Sequence, residues 1–189
     1  MHVLPPGDEP DPAGAGRVSR PVVGRVLVLG GARSGKSAEA ERRLANAPAV
    51  TYVATARHDP DDPEWQARIA AHRTRRPAHW TTLETGELDA LLRDPPTPLL
   101  IDCLTLWLTG VLDDASWGPI EDRVDGLADA WASSSGPVVA VSSEAGSGVV
   151  PGTLAGRRFR DELGALNIRL AAAADEVWLV VAGVPVRLR

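Results

Sequence analysis

One lysine, Lys36, stands among 20 basic residues; all the others are arginine. It falls in the run Gly30-Gly31-Ala32-Arg33-Ser34-Gly35-Lys36-Ser37, which fits the P-loop pattern G-x-x-x-x-G-K-[ST]. Glycines let such a loop curl so that its backbone N–H groups face phosphate oxygens, and the positive end of a following helix adds to that field. Lys36 is then expected to reach the β- and γ-phosphates of a nucleoside triphosphate, with the Ser37 hydroxyl as a ligand to Mg²⁺. A guanidinium cannot take over that compact contact, which explains a lysine kept where every other basic residue is arginine.

A second group of reactive residues follows. Asp62-Pro63-Glu64 reads as a helix start, with Asp as N-cap and Pro in the first turn. A helix running to about Arg76 places Arg68, His72, Arg75 and Arg76 at i, i+4, i+7 and i+8, on one face. The stripe is either a solvated basic face or a seat for an anionic ligand such as a triphosphate. Of the four histidines, His2 lies in the N-terminal segment, His58 in a loop after the second strand, and His79 in a Pro-Ala-His-Trp turn suited to a structural role. His72, flanked by arginines, has the setting for chemistry: a neutral imidazole can attack an α-phosphate and expel pyrophosphate, leaving a phosphoramidate. Asp102 closes the apolar run LLID, where a carboxylate either holds Mg²⁺ through water or caps the next element. The N-K-x-D guanine motif of regulatory GTPases is absent, since the sole lysine is in the P-loop.

These residues need elements to position them. Val22–Leu29, Val50–Ala54, Leu99–Cys103, Val138–Ser142 and Val177–Ala182 read as strands apolar on both faces, the mark of parallel central strands. Ser37–Ala47 reads as a helix, and so does Thr153–Ala174, where Phe159, Leu163, Leu166 and Leu170 form one apolar face. Val184–Leu188 is expected to return antiparallel after Gly183. The alternation predicts an α/β, P-loop NTPase-like three-layer fold with a mostly parallel central sheet and an antiparallel C-terminal edge. Ligands bind such sheets beyond the carboxyl ends of the strands. Residues 1–21, rich in Pro, Gly, Ala and Asp, read as a flexible tail, and 22–189 as one nucleotide-binding domain.

Composition narrows the class. A net charge of −5 carries no basic footprint for nucleic acid. The longest apolar run, Val177–Val186, is broken by Gly183 and Pro185 and falls short of the roughly 20 residues of a membrane span. A single cysteine, Cys103, excludes an internal disulfide and reads as a core thiol; with no secretory h-region, a cytoplasmic enzyme is expected.

From about Val26 to Arg189 the chain resembles the bifunctional adenosylcobinamide kinase / adenosylcobinamide-phosphate guanylyltransferase family of cobalamin biosynthesis. The resemblance rests on GGARSGKS at 30–37, TYVATA at 51–56, ARIAAHRTRRPAHWTTLE at 67–84, LLIDCLTLWLTGVL at 99–112, SEAGSGVVP at 143–151 and the stretch from Arg157 to Leu188. It implies phosphorylation of adenosylcobinamide by ATP or GTP, then transfer of GMP from GTP to adenosylcobinamide-phosphate through a guanylyl-histidine, here His72. It also implies nucleotide contacts at Gly30–Ser37, at Thr55, Ala56 and Arg57, at Arg73, Thr74, Arg75 and Arg76, and at Glu84 and Asp102. Glu84 and Asp102 carry carboxylates able to accept from guanine N1–H and N2–H₂. A homotrimer is implied as well. The alternatives are a kinase with one activity on a small alcohol, which leaves the His72 stripe idle, and a nucleotide-binding module without turnover.

Overall fold

The computed structural model describes residues 22–57 and 76–189. The 1–21 segment and the central helix expected from Asp62, with His58, Arg68, His72, Arg73, Thr74 and Arg75, lie outside the described residues.

Seven strands form one sheet: β1 (Arg25–Gly30), β2 (Thr51–Ala54), β3 (Thr81–Glu84), β4 (Leu99–Asp102), β5 (Val138–Ser143), β6 (Glu176–Val181) and β7 (Val184–Arg187). Their order is β3-β2-β4-β5-β1-β6-β7. All neighbours are parallel except β6 and β7. The antiparallel pair follows from a tight turn in which Ala182 and Gly183 both take positive φ, the backbone twist that short hairpins favour.

Among the described residues five helices cover the sheet: α1 (Lys36–Leu44), α2 (Leu88–Arg93), α3 (Leu104–Asp114), α4 (Glu121–Ser133) and α5 (Leu154–Ala173). Side chains alternate along each strand, so the sheet makes two cores. On one face Val26, Val28, Tyr52, Leu100, Val139 and Val141 pack with Ala40 and Leu44 of α1. On the other, Leu27, Val53, Ile101 and Ala140 pack with Leu88 and Leu92 of α2, Trp107 and Leu108 of α3, Leu127 and Trp131 of α4, and Leu163, Leu166 and Leu170 of α5. The result is the expected three-layer α/β arrangement.

The long C-terminal helix forms as its apolar spacing predicts. Thr153 caps it, its Oγ1 accepting the Gly156 N–H at 3.1 Å, which satisfies one of the amides a helix start leaves open. Leu163, Leu166 and Leu170 are buried and Phe159 packs partly against them. Observed strands differ from the expected ones by a few residues at their ends. The short edge strand β3 and helices α2, α3 and α4 add to the elements read from sequence.

Candidate active site

The carboxyl ends of the parallel strands converge on one rim, and the sequence motifs hang from it. β1 ends at Gly30, directly across from Ser143 of β5, and the Glu144 N–H donates to Gly30 O at 3.1 Å. The P-loop leaves from this point. A Cβ at Gly30 would lie 2.4 Å from Ser34 Oγ and 2.7 Å from Val180 O, so only glycine admits the loop this close to β6. Arg33 and Gly35 take positive φ, which turns the loop into α1. Gly31, Ala32 and Arg33 are exposed, whereas Ser34 is buried and its Oγ has no hydrogen-bond partner among the described residues. Lys36 Nζ folds back to donate to Gly31 O at 3.1 Å.

Ser37, in the first turn of α1, donates through its hydroxyl to Asp102 Oδ1 at 3.3 Å. The other carboxylate oxygen, Oδ2, accepts from the Tyr52 hydroxyl at 2.7 Å. Register explains the contact: Tyr52 pairs with Leu100 and Ala54 with Asp102 on the neighbouring parallel strand. Tyr52 and Asp102 therefore stand on the same face, two positions apart, within reach of a long aromatic side chain. Burial, followed by the Asp102 charge, pushes the Tyr52 phenol well above its ordinary pKa, so the hydroxyl remains a donor. Arg76 lies flat over the Tyr52 ring, with Cζ 3.3 Å from the centroid, and donates from Nη1 to Thr82 Oγ1 at 3.1 Å. Its Nε is buried with no hydrogen-bond partner among the described residues.

The same register places Glu84 across from Ala54. Glu84 and Asp102 thus flank Ala54 on the rim, their backbones about 10 Å apart, two strand spacings. Glu84 is exposed at the edge of the sheet. Thr55 is buried, and its hydroxyl is spent on Cys103: it donates to Cys103 O at 2.7 Å and accepts from Cys103 N at 3.0 Å. Ala56 is partly buried next to it. Arg57 is exposed and pairs with Asp114 at the end of α3, while also donating to Gly110 O at 3.2 Å. Cys103 sits just past β4, part-buried rather than within a strand. Burial and then the Asp102 charge push its thiol up, which makes it a poor nucleophile. His79, as expected of a structural residue, contacts Ala47 O through Nε2 at 3.3 Å.

The fold therefore brings Gly30–Ser37, Thr55–Arg57, Glu84 and Asp102 to one rim, with Arg76 stacked on Tyr52 over the sheet face. Tyr52 is the residue that sequence reasoning passed over. It sits in an apolar strand and reads as core; its hydroxyl gains meaning only from the β2–β4 pairing. The arrangement suits a polyphosphate with a hard cation. Ser37 and Asp102 offer two oxygens close together, and no cluster of three or more metal-ligating side chains occurs among the described residues. Mg²⁺ commonly binds in this way, through one or two protein oxygens, the substrate phosphates and water. No helix among the described residues is long and apolar enough to cross a membrane.

Comparisons with known proteins bear on the family and the fold. The family model described as cobinamide kinase / cobinamide phosphate guanyltransferase matches residues 26–188. The chain is 41% identical over 181 residues to the bifunctional adenosylcobalamin biosynthesis protein CobU of Salmonella typhimurium, covering 87% of this chain and 99% of that protein. It is 45% identical over 172 residues to the bifunctional adenosylcobalamin biosynthesis protein CobP of Pseudomonas aeruginosa, covering 87% and 97%. Among solved structures, an ATPase from the type III secretion system of pathogenic bacteria superposes with a TM-score of 0.55 at 11% identity. That superposition covers 84% of this chain and 51% of the ATPase, a likeness of fold alone.

Proposed function

Because the chain belongs to the cobinamide kinase / cobinamide phosphate guanyltransferase family, we propose that its rim carries out both reactions on adenosylcobinamide, with Lys36 and His72 as the reacting-site residues. The chain is a bifunctional kinase and guanylyltransferase of cobalamin biosynthesis. What remains is the assignment of roles. The observation that supports it most is the Ser37–Asp102 contact at 3.3 Å beside the P-loop lysine.

In the kinase step the aminopropanol hydroxyl of adenosylcobinamide attacks the γ-phosphorus of ATP or GTP and gives up its proton to water. The bond to the β-phosphate oxygen breaks and the nucleoside diphosphate leaves. Lys36 exchanges its contact with Gly31 O for the β- and γ-oxygens, and the N–H groups of Gly30–Ser37 take up the remaining phosphate charge. A bound Mg²⁺ would supply positive charge against the negative charge that develops on the phosphates. Ser37 would hold it directly, with Asp102 behind.

In the transferase step a nitrogen of His72 attacks the α-phosphorus of GTP, and the α–β anhydride breaks to release pyrophosphate. The phosphate of adenosylcobinamide-phosphate then attacks the same phosphorus. The P–N bond breaks, the imidazole is restored, and adenosylcobinamide-GDP forms. Arg73, Thr74, Arg75 and Arg76 follow the histidine in sequence and would bind the triphosphate, with Thr55, Ala56 and Arg57 contributing from the end of β2. Glu84 and Asp102 would accept from the guanine edge, and for Asp102 this competes with the metal role. We place the enzyme in the cytoplasm as a homotrimer, in keeping with its family, its single cysteine and the absence of a membrane-spanning helix among the described residues.

The test is product analysis. Adenosylcobinamide incubated with the protein, Mg²⁺ and ATP should gain one phosphate; adding GTP should convert that product to the GDP adduct. Phosphorylation without any GMP transfer would leave a kinase alone.

A further inference from the structure

Tyr52 is the only tyrosine in the chain, and no role assigned above uses its hydroxyl. The side chain is 2% exposed. Phenylalanine would present the same ring to the core and to Arg76, yet this side chain carries a hydroxyl aimed at the oxygen of Asp102 that Ser37 does not touch. The two contacts fix both oxygens and hence the rotation of the carboxylate. The ring is fixed in turn, pressed between the core and the Arg76 guanidinium at 3.3 Å, so the hydroxyl cannot swing aside. Thr82 holds Arg76 from β3. A neutral donor suits this place: it orients the carboxylate without removing its negative charge.

We propose that Tyr52 is the positioning residue of the phosphoryl-transfer centre, holding Asp102 in the rotamer that faces Ser37, behind the cation that Ser37 would hold. This rests on the metal role given to Asp102 above. Tyr52 touches no substrate itself. Its contribution is to keep Asp102 oriented before the nucleotide arrives, so that no reorganisation is needed when the cation binds.

The experiment measures cation binding rather than turnover. Mn²⁺ replaces Mg²⁺ as an electron paramagnetic probe, with ADP as the nucleotide because it has no γ-phosphate to transfer. In Tyr52→Phe, Mn²⁺ should bind the ADP complex about tenfold more weakly, as expected on losing a hydrogen bond to a charged group. ADP without metal should bind as in the wild type, since the P-loop is untouched. Asp102→Asn is the reference. If it weakens Mn²⁺ and Tyr52→Phe does not, the positioning role is overturned while the Asp102 reading stands. If neither variant changes Mn²⁺ affinity, the Asp102 reading fails and the role of Tyr52 falls with it. A second measurement avoids dependence on the folding of the variant. Biosynthetic 3-fluorotyrosine gives one ¹⁹F resonance, because there is one tyrosine. Mn²⁺ with ADP should broaden that line severely, and diamagnetic Mg²⁺ with ADP should shift it. A line that neither cation affects overturns the proposal.

Discussion

Thr55 holds Cys103 by both backbone polar groups, donating its hydroxyl to the carbonyl at 2.7 Å and accepting the N–H at 3.0 Å. The contact ties the end of β2 to the first residue past β4 and so sets where the backbone of Asp102 comes to rest. With the hydroxyl so engaged, any contact of Thr55 with a nucleotide falls to its backbone.

Replacing the hydroxyl by a methyl group tests this tie. Thr55→Val keeps the shape but strips Cys103 N and O of their partner, at an expected cost of about 1–3 kcal/mol. Urea unfolding measures it. Both activities should drop by about 10–100-fold, because a small displacement of a positioned group is costly to rate. Thr55→Ser retains both hydrogen bonds and should behave as the wild type in both assays.

Lys36 is the P-loop cation, and its head group donates to a loop carbonyl, Gly31 O. Lys36→Arg should therefore leave unfolding stability within about 0.5 kcal/mol of the wild type. Adenosylcobinamide phosphorylation should fall by about a hundredfold or more, the usual consequence of losing a donor aimed at transition-state charge. A variant with unchanged kcat would remove Lys36 from the reaction.

Acid stability depends in part on a pair far from the site. Asp175 accepts from the Arg25 side chain at 3.1 Å and from the Arg25 backbone N–H at 2.7 Å. The side-chain bond first, then the backbone bond, holds the carboxyl below its ordinary value of 3.8. A depressed folded-state pKa means that the contribution is present above the unfolded value and lost as pH falls through the folded one. Because Asp175 is half exposed, the effect is modest. Urea midpoints of wild type and Asp175→Asn, taken from about pH 6 down to about pH 2.5, should differ at the upper end and converge at the lower.

The sheet was legible in the sequence to the extent that its strands are buried. β1, β2, β4 and β5 are apolar on both faces, and such runs between turn signals have few other readings. β3 escaped because all four of its residues are exposed and Leu83 is its only apolar one. It is an edge strand held by pairing rather than by burial. Helix α3 follows β4 after a single residue, so its apolar residues merge with those of the strand into one unpunctuated run. Its helical spacing, Leu104, Trp107, Leu108, Val111 and Leu112, is nonetheless present and all five are buried. In the site, the P-loop could be read because its function dictates its local sequence. The contact of Tyr52 with Asp102 could not, because it depends on which strand lies next to which.

The proposed transferase step turns on His72 carrying the guanylyl group. The direct measurement is incubation of the protein with GTP labelled at the α-phosphate, followed by denaturation and detection of protein-bound label. The account predicts a labelled chain whose bond is labile in acid and stable in base, and no label in His72→Ala. A normal adduct in His72→Ala, or one stable in acid, would contradict it.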